Sequence, residues 1–484
     1  MNYLLVVILL ILATILILIT VALINAISIK AEYSAGEPYD IDITSDEPQH
    51  YAYHLSEMIK VKTVSERGKD YSDSISQFHK CIEKLYPNIH KHLEKVNLDG
   101  ALLFKWKGKY HNAMPILLMS HMDVVEASGK WKFPPFSGTI SNGRIWGRGA
   151  VDTKGALCAI LESVEKLVSE GFVPECDIYI ASSNNEEITG DGAIKTVEYL
   201  HNNGIRLELV MDEGGAVMGG MLGSEASSAM VGVLEKGRAN VKFIAHSVGG
   251  HASIPFKHNP FARLAKFMNT IETKHIFKKK LTKPVKNMYK AMVPYMDFKY
   301  RFFLGNLWLF APILPFALGK MGGQANALIS STCVFTQAQG SHGANVIPET
   351  ATVTANMRFM VHEPLEATFE KISKIAMKND IWMEMISGYD VCKAADTNTY
   401  AYKQVIKQIG KTFGNIPVVP YVMLAGTDAR HYTKICDCVL RFVPLTFSSA
   451  QQKSAHAIDE NLNISSLSRA VEFYYDFIRN YRKS

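Results

Sequence analysis

Three observations predict an α/β fold: a main domain with a central, mostly parallel sheet flanked by helices, an inserted α+β domain, and an N-terminal transmembrane helix. From Tyr51 onward, short apolar runs alternate with stretches of helical period, the pattern of strands joined by helices. Near Glu235 this changes to strand, helix, strand, helix, which marks an insertion of roughly 235–389. Leu4 to Ile29 carries no charged residue.

Taken in order, the first element is that apolar run. At ~1.5 Å per residue it crosses a hydrocarbon core of ~30 Å with room for tilt. Met1-Asn2-Tyr3 brings no basic side chain, and the run is longer than a signal peptide needs. An uncleaved single-pass anchor over 1–30 is therefore expected, with a cleaved signal and a secreted body as the alternative. Lys30 favours a cytoplasmic body. For a lone N-terminal anchor an extracytoplasmic body is expected. Residues 31–50 are acidic and turn-rich, as in a tether.

The main domain is expected over 51–234 and again over 390–484. Pro115–Met119, Asp177–Ala181 and Leu207–Met211 read as buried strands. They run into Ser120-His121-Met122-Asp123, Asn184-Asn185-Glu186-Glu187 and Asp212-Glu213-Gly214-Gly215. The carboxyl edge of such a sheet is where ligands bind. Asp152 precedes a helix whose apolar positions Leu157, Ile160, Leu161, Val164, Leu167 and Val168 follow a 3.6 period. Gly171 stands where a C-cap belongs. In the insertion, strands are expected over Ala239–His246 and Thr350–Met360, with helices after Pro260 and over Leu365–Met377. Helices over Tyr400–Phe413 and Ile464–Tyr481 close the chain.

Bulk properties narrow the function. The chain has 484 residues, 48% hydrophobic and 20% charged, with a net charge of +6. That charge is mild for the length, and no nucleic-acid module is present, so a nucleic-acid partner is excluded. Seven scattered cysteines, an odd number, do not form a disulfide framework. Cys436 and Cys438 read as neighbours at a strand edge, because no second Cys or His pair matches their spacing.

His121, Asp123, Asp152, Glu186, Glu187, Asp212 and His456 supply the chemistry of a hydrolytic two-metal site, which needs imidazoles and a carboxylate able to bridge. Alone, Asp152 reads as a helix cap and Glu186-Glu187 as a solvated turn. What strengthens the set is that several of them fall in order along one sheet edge beside Gly-rich turns. Two residues apart on a strand, His121 and Asp123 share a side, so the carboxylate can fix the imidazole tautomer. Adjacent extended residues point apart, so Glu186 and Glu187 converge only in a bend, which Asn184-Asn185 and Thr189-Gly190-Asp191-Gly192 supply.

Several stretches resemble the aminoacylase and carboxypeptidase S family of co-catalytic zinc metallopeptidases. They are Ser120–Val125, Gly147-Arg148-Gly149-Ala150-Val151-Asp152-Thr153-Lys154-Gly155, Asn185-Glu186-Glu187, Gly249–Ser253, Gly426–Arg430 and Ala455-His456-Ala457. They span nearly everything from residue 51 to the end. The resemblance implies hydrolysis of an amide bond next to a free carboxylate, in an N-acyl amino acid or short peptide. It implies two divalent metal ions, zinc first, with cobalt or manganese as alternatives. Asp152 would bridge them, His121 and Asp212 would complete one site, and Glu187 and His456 the other. Glu186 would be the general base and Asp123 the orienter of His121. His251 would stabilise the oxyanion from the inserted lid, through which a homodimer can form. Asn345 and Arg430 would hold the substrate carboxylate, Arg by its bidentate fork.

Within the family, the anchor and the enlarged insertion are similar to carboxypeptidase S and to hydrolases of N-fatty-acyl amino acids. Rival readings are net synthesis of the amide in the same site and a non-catalytic scaffold of the same fold. A serine hydrolase is excluded by the lack of a Gly-x-Ser-x-Gly elbow. Phe302–Leu318 is apolar but broken by Gly305, Pro312 and Pro315. It fits a core helix pair, a membrane-surface segment or the wall of a channel.

Overall fold

The computed structural model describes residues 3–31, 41–110, 112–219 and 227–482. The tether falls largely on 32–40, outside the described residues. Its last residues already belong to the helix Asp46–Lys60.

The main sheet is mixed. Its centre is parallel: Ile116–Met119 lies between Ile178–Ser182 and Leu209–Asp212, and Val439–Arg441 continues on the far side. All residues of these four strands are buried, as expected where helices cover both faces. The flanks are antiparallel, with Ala101–Trp106 beside Ile178–Ser182 and Glu94–Leu98 outermost. Ser228–Glu235 carries the other flank, paired in parallel with Val418–Met423.

Lys154–Ser169 and Ile464–Asn480 are among the covering helices. The latter buries Leu467, Ala470, Val471, Tyr474, Phe477 and Ile478 at three- and four-residue spacing. That spacing makes one continuous apolar stripe. The strand order brings the ends of Ile116–Met119, Ile178–Ser182 and Leu209–Asp212 to one edge, and with them the three acidic loops.

The insertion is a four-stranded antiparallel sheet, ordered Thr332–Gln339, Thr350–Phe359, Gly237–His246 and Trp382–Tyr389. Helices Pro260–Thr273 and Leu365–Met377 pack on it. The first begins with proline after Asn259, whose side chain accepts from Ala262 N at 3.0 Å, a cap worth ~1 kcal/mol. Phe243, Phe267 and Phe335 meet at centroid distances of 4.7–5.9 Å and form the centre of this second core.

One segment departs from the expected boundary. Residues 281–329 lie inside the insertion by sequence, yet Leu281, Val285, Met288, Leu304, Leu307, Leu314 and Leu318 pack into the main domain's core. The inserted sheet thus keeps only 237–273 and 332–389. All seven cysteines are free, and Cys436 and Cys438 are buried just before the strand Val439–Arg441.

Candidate metal centre and active site

His121, Asp152, Glu187 and His456 meet at the carboxyl edge of the sheet. His121 Nε2 lies 3.1 Å from Asp152 Oδ1, and His456 Nε2 lies 3.1 Å from Asp152 Oδ2. A carboxylate whose two oxygens face different imidazoles has the geometry of a bridge. His456 Nε2 is also 3.0 Å from Glu187 Oε2. Two sets of donor atoms result, His121–Asp152–Glu213 and Asp152–Glu187–His456, each within 4.8 Å.

The structure brings Glu213, not Asp212, to this point. Glu213 Oε1 is 3.4 Å from His121 Nε2. Asp212 is the last residue of its strand, so its neighbour points the opposite way. Asp212 Oδ2 accepts from Ala429 N at 2.8 Å and thereby holds the loop that carries Arg430.

Asp123 sits beneath both metal-facing loops. His121 Nδ1 donates to the Asp123 backbone carbonyl at 2.9 Å, while the side chain stands 3.4 Å away. The carboxylate mainly serves others: it accepts from Ser65 Oγ at 2.6 Å, Glu186 N at 3.1 Å and Glu187 N at 3.2 Å. One buried group therefore fixes both the histidine and the pair of glutamates. The expected bend is present, closed by Thr189 N on Glu186 O at 2.7 Å and Gly190 N on Asn185 O at 2.7 Å. A Cβ at Gly190 would lie 2.1 Å from the Asn185 side chain, so the turn requires glycine.

Glu460 was not singled out from the sequence. It is fully buried, and its Oε1 accepts from Gly149 N, Val151 N and Asp152 N at 2.8–3.1 Å. Its Oε2 accepts from Arg148 Nη1 at 2.6 Å. Four donors around one carboxylate shape the loop that presents Asp152. Nothing within the Gly147–Gly155 stretch announces a partner some 300 residues later. Glu460→Ala would strand the Arg148 charge and three N–H groups, at a cost of about 3–5 kcal/mol. Urea denaturation of the variant reads that loss; an unchanged midpoint would count against it.

Electrostatics mark the cluster as a cation site. Burial, then the Asp152 charge, pushes the Glu213 carboxyl up to about 7. Burial opposes ionisation of Asp152 too, but bonds to His121 and His456 outweigh it and hold Asp152 below the usual carboxylate range. Bonds to Asp152 and Glu187 lift His456 to about 10. Burial alone would lower His121, yet Glu213, Asp123 and Asp152 raise it well above the ordinary imidazole value. Without cations, three carboxylates thus crowd around two protonated imidazoles, an excess of acid that divalent ions would relieve. Nitrogen and oxygen donors in this crowding, with one shared carboxylate, fit a pair of divalent ions. Glu186 belongs to neither donor set. Burial first, and Glu213 second, raise its carboxyl well above the usual range.

The remaining expected residues fall into two places. His251 and Asn345 lie together on a two-stranded ribbon of the insertion: His251 pairs with Val346, and Ala252 N donates to Asn345 O at 2.9 Å. Both are exposed, and His251 Nδ1 bonds to Ser253 Oγ at 2.7 Å. Arg430 is buried at the main-domain side, with its guanidinium 4.3 Å from the Tyr389 ring centroid. Its Nε makes no hydrogen bond among the described residues. Arg67 and Arg238 line the same cavity, and neither was singled out from the sequence. A second cavity, about 150 Å³, opens against Asp152 and Glu213 and has apolar walls of Ala216, Met218, Val443 and Phe447.

Residues 117–480 match peptidase family M20/M25/M40. A probable carboxypeptidase S-like protein of Dictyostelium discoideum is 32% identical over 445 residues, 89% of this chain and 85% of that protein. The N-fatty-acyl-amino acid synthase/hydrolase of Xenopus tropicalis is 28% identical over 475 residues, 96% of this chain and 93% of its own length. Among solved structures, the M20 family metallo-carboxypeptidase of Sulfolobus solfataricus superposes with a TM-score of 0.65 at 19% identity, covering 90% of this chain and 99% of its own. The chain belongs to peptidase family M20/M25/M40 and is a hydrolase of the metallopeptidase type.

Proposed function

We propose that the chain hydrolyses the amide bond of N-fatty-acyl amino acids, with His121, Asp152 and Glu213 holding one divalent cation and Asp152, Glu187 and His456 the other. The observation that carries this reading is Asp152, shared between two acid–imidazole sets beside the buried Glu186. When bound, the cations, zinc first with cobalt or manganese able to substitute, polarise the amide carbonyl and acidify the attacking water.

The chain's own residues do the rest. Arg430, which lines a cavity with Arg67 and Arg238, pairs with the substrate carboxylate, and Asn345 joins it from the lid. Glu186 takes the proton of the water and returns it to the leaving nitrogen. His251 donates to the carbonyl oxygen as charge develops there. Its exposed place on the lid supports a homodimer in which the lid of one copy serves the site of the other. The cavity against Asp152 and Glu213, about 150 Å³, has room for the first carbons of an acyl chain. The same site runs the synthesis of the amide when amine and acid are in excess.

The helix Tyr3–Ser28 is long and apolar enough to be a membrane anchor or a signal sequence. Its exit turns are built into the body, which supports retention as an anchor. Asn25 Nδ2 donates to Asn306 Oδ1 at 2.9 Å, Asn306 Nδ2 to Ala22 O at 2.9 Å, and Arg301 Nη1 to Ile29 O at 3.1 Å. The proposed body is extracytoplasmic.

The test is a hydrolysis screen of N-oleoyl and N-acetyl amino acids and dipeptides on chelated protein reloaded with zinc, cobalt or manganese. Oleoyl substrates should lead, and chelation should remove turnover by at least ~100-fold, with recovery on reloading. Full turnover in metal-free protein would sink the reading. Loading should also release protons at pH 7. His456, lifted to about 10, and the raised His121 carry protons in the metal-free state that ligation expels. Affinity should therefore rise with pH, which calorimetry in buffers of different ionisation enthalpy measures.

A further inference from the structure

We propose that the outer face of the helices between Phe298 and Met321 rests in the headgroup–acyl boundary of the bilayer that holds the anchor, making a second, in-plane membrane contact. The inference rests on the anchor being retained.

Three short helices, Phe298–Leu304, Leu307–Phe310 and Leu314–Met321, form this layer. Their inner side chains Leu304, Leu307, Leu314 and Leu318 enter the main core. Their outer ones are equally apolar: Trp308 is 56% exposed, Ile313 59%, Phe316 60% and Met321 65%. Helices that are apolar all round belong inside a protein or in lipid. Here one side is inside the protein and the other faces outward. Pro312 and Pro315 break the run, so it can lie along a surface but not cross it.

The anchor fixes which surface. From Tyr3 to Ala22 the helix rises ~29 Å at ~1.5 Å per residue, about one hydrocarbon thickness. At Ala22, Asn25 and Ile29 it meets Asn306, Gly305 and Arg301. Ala22 and Ala26 are the small buried residues that let the helix approach closely. The layer therefore contacts the anchor at the depth where acyl chains give way to headgroups. Trp308 donates its Nε1 to the same Asn306 Oδ1 at 3.1 Å, which places the indole beside that exit.

Cations border the patch in the manner of an interfacial surface. Lys299 Nζ lies 4.8 Å from the Tyr300 centroid and Lys320 Nζ 4.5 Å from that of Phe316. Both are exposed and can reach lipid phosphates while their stems stay on the rings.

The full chain reconstituted into phosphatidylcholine vesicles tests this through Trp308. Lipids brominated near the headgroup should quench more tryptophan emission than lipids brominated near the chain terminus. Trp308→Phe should abolish most of that quenching, whereas Trp382→Phe on the lid should not. Equal quenching of wild type and Trp308→Phe overturns the proposal. So does a Trp308 shielded by a second copy, read as a dimer crosslinked in the Phe316→Cys variant. Cleavage of the anchor is a different failure: mass spectrometry of the purified protein would show the first turns missing, and the protein would not incorporate.

Discussion

Glu186→Gln is expected to lower kcat by about three orders of magnitude while leaving both cations bound. Glu186 lies outside both donor sets, so the amide removes no ligand. Its backbone N–H stays on Asp123, so the turn keeps its shape. What vanishes is the basic oxygen. In wild type, activity should fall as pH drops through the Glu186 pKa, because only the carboxylate accepts a proton. Burial and Glu213 move that limb upward, and bound cations move it back. The variant should lack the limb altogether. Metal analysis, kcat and the pH–rate profile measure all three. Near-normal turnover with full metal would remove Glu186 from the role of base.

Much of this site was legible because strands end where chemistry begins. Apolar runs at 115–119, 177–181 and 207–211 mark three strands, and the residue after each run is polar because the edge is where the core stops. His121, Asp152 and Glu187 come together at that edge, and His456, which took its role from the Ala455-His456-Ala457 resemblance, lies beside them. The helices at Leu365–Met377 and Tyr400–Phe413 match their apolar period.

Where the reading failed, the pattern carried no information. Period-two alternation tells which of two neighbours faces a site only if one face of the strand is polar. Leu209, Val210, Met211 and Asp212 are all buried, so nothing in the sequence distinguishes Asp212 from Glu213. The segment 281–329 failed for a similar reason. Amphipathic helices announce that they bury a face, not against which domain. Lys236, fully buried within the chain's crossing to the lid, ties this segment down by donating to Ala327 O at 2.9 Å and Ser330 O at 2.8 Å. Such a tie between distant residues has no local signature.

The two neighbours can be separated by experiment, and their variants should behave oppositely. Glu213→Ala removes the oxygen facing His121 and should reduce bound metal from two ions to about one, with kcat falling by about 10³-fold or more. Relief of the crowding by Asp152 is offset by the loss of the buried His121 partner, so folding should not gain. Asp212→Ala should keep both ions. It leaves Ala429 N buried without its acceptor, at about 1–3 kcal/mol of stability, and loosens the loop bearing Arg430. Its kinetic signature is therefore a raised KM for carboxylate-bearing substrates at nearly full metal content. Metal analysis, denaturation and the KM-against-kcat split on the same two variants decide the assignment. If Asp212→Ala lost an ion and Glu213→Ala kept both, the ligand set built around Glu213 would be wrong.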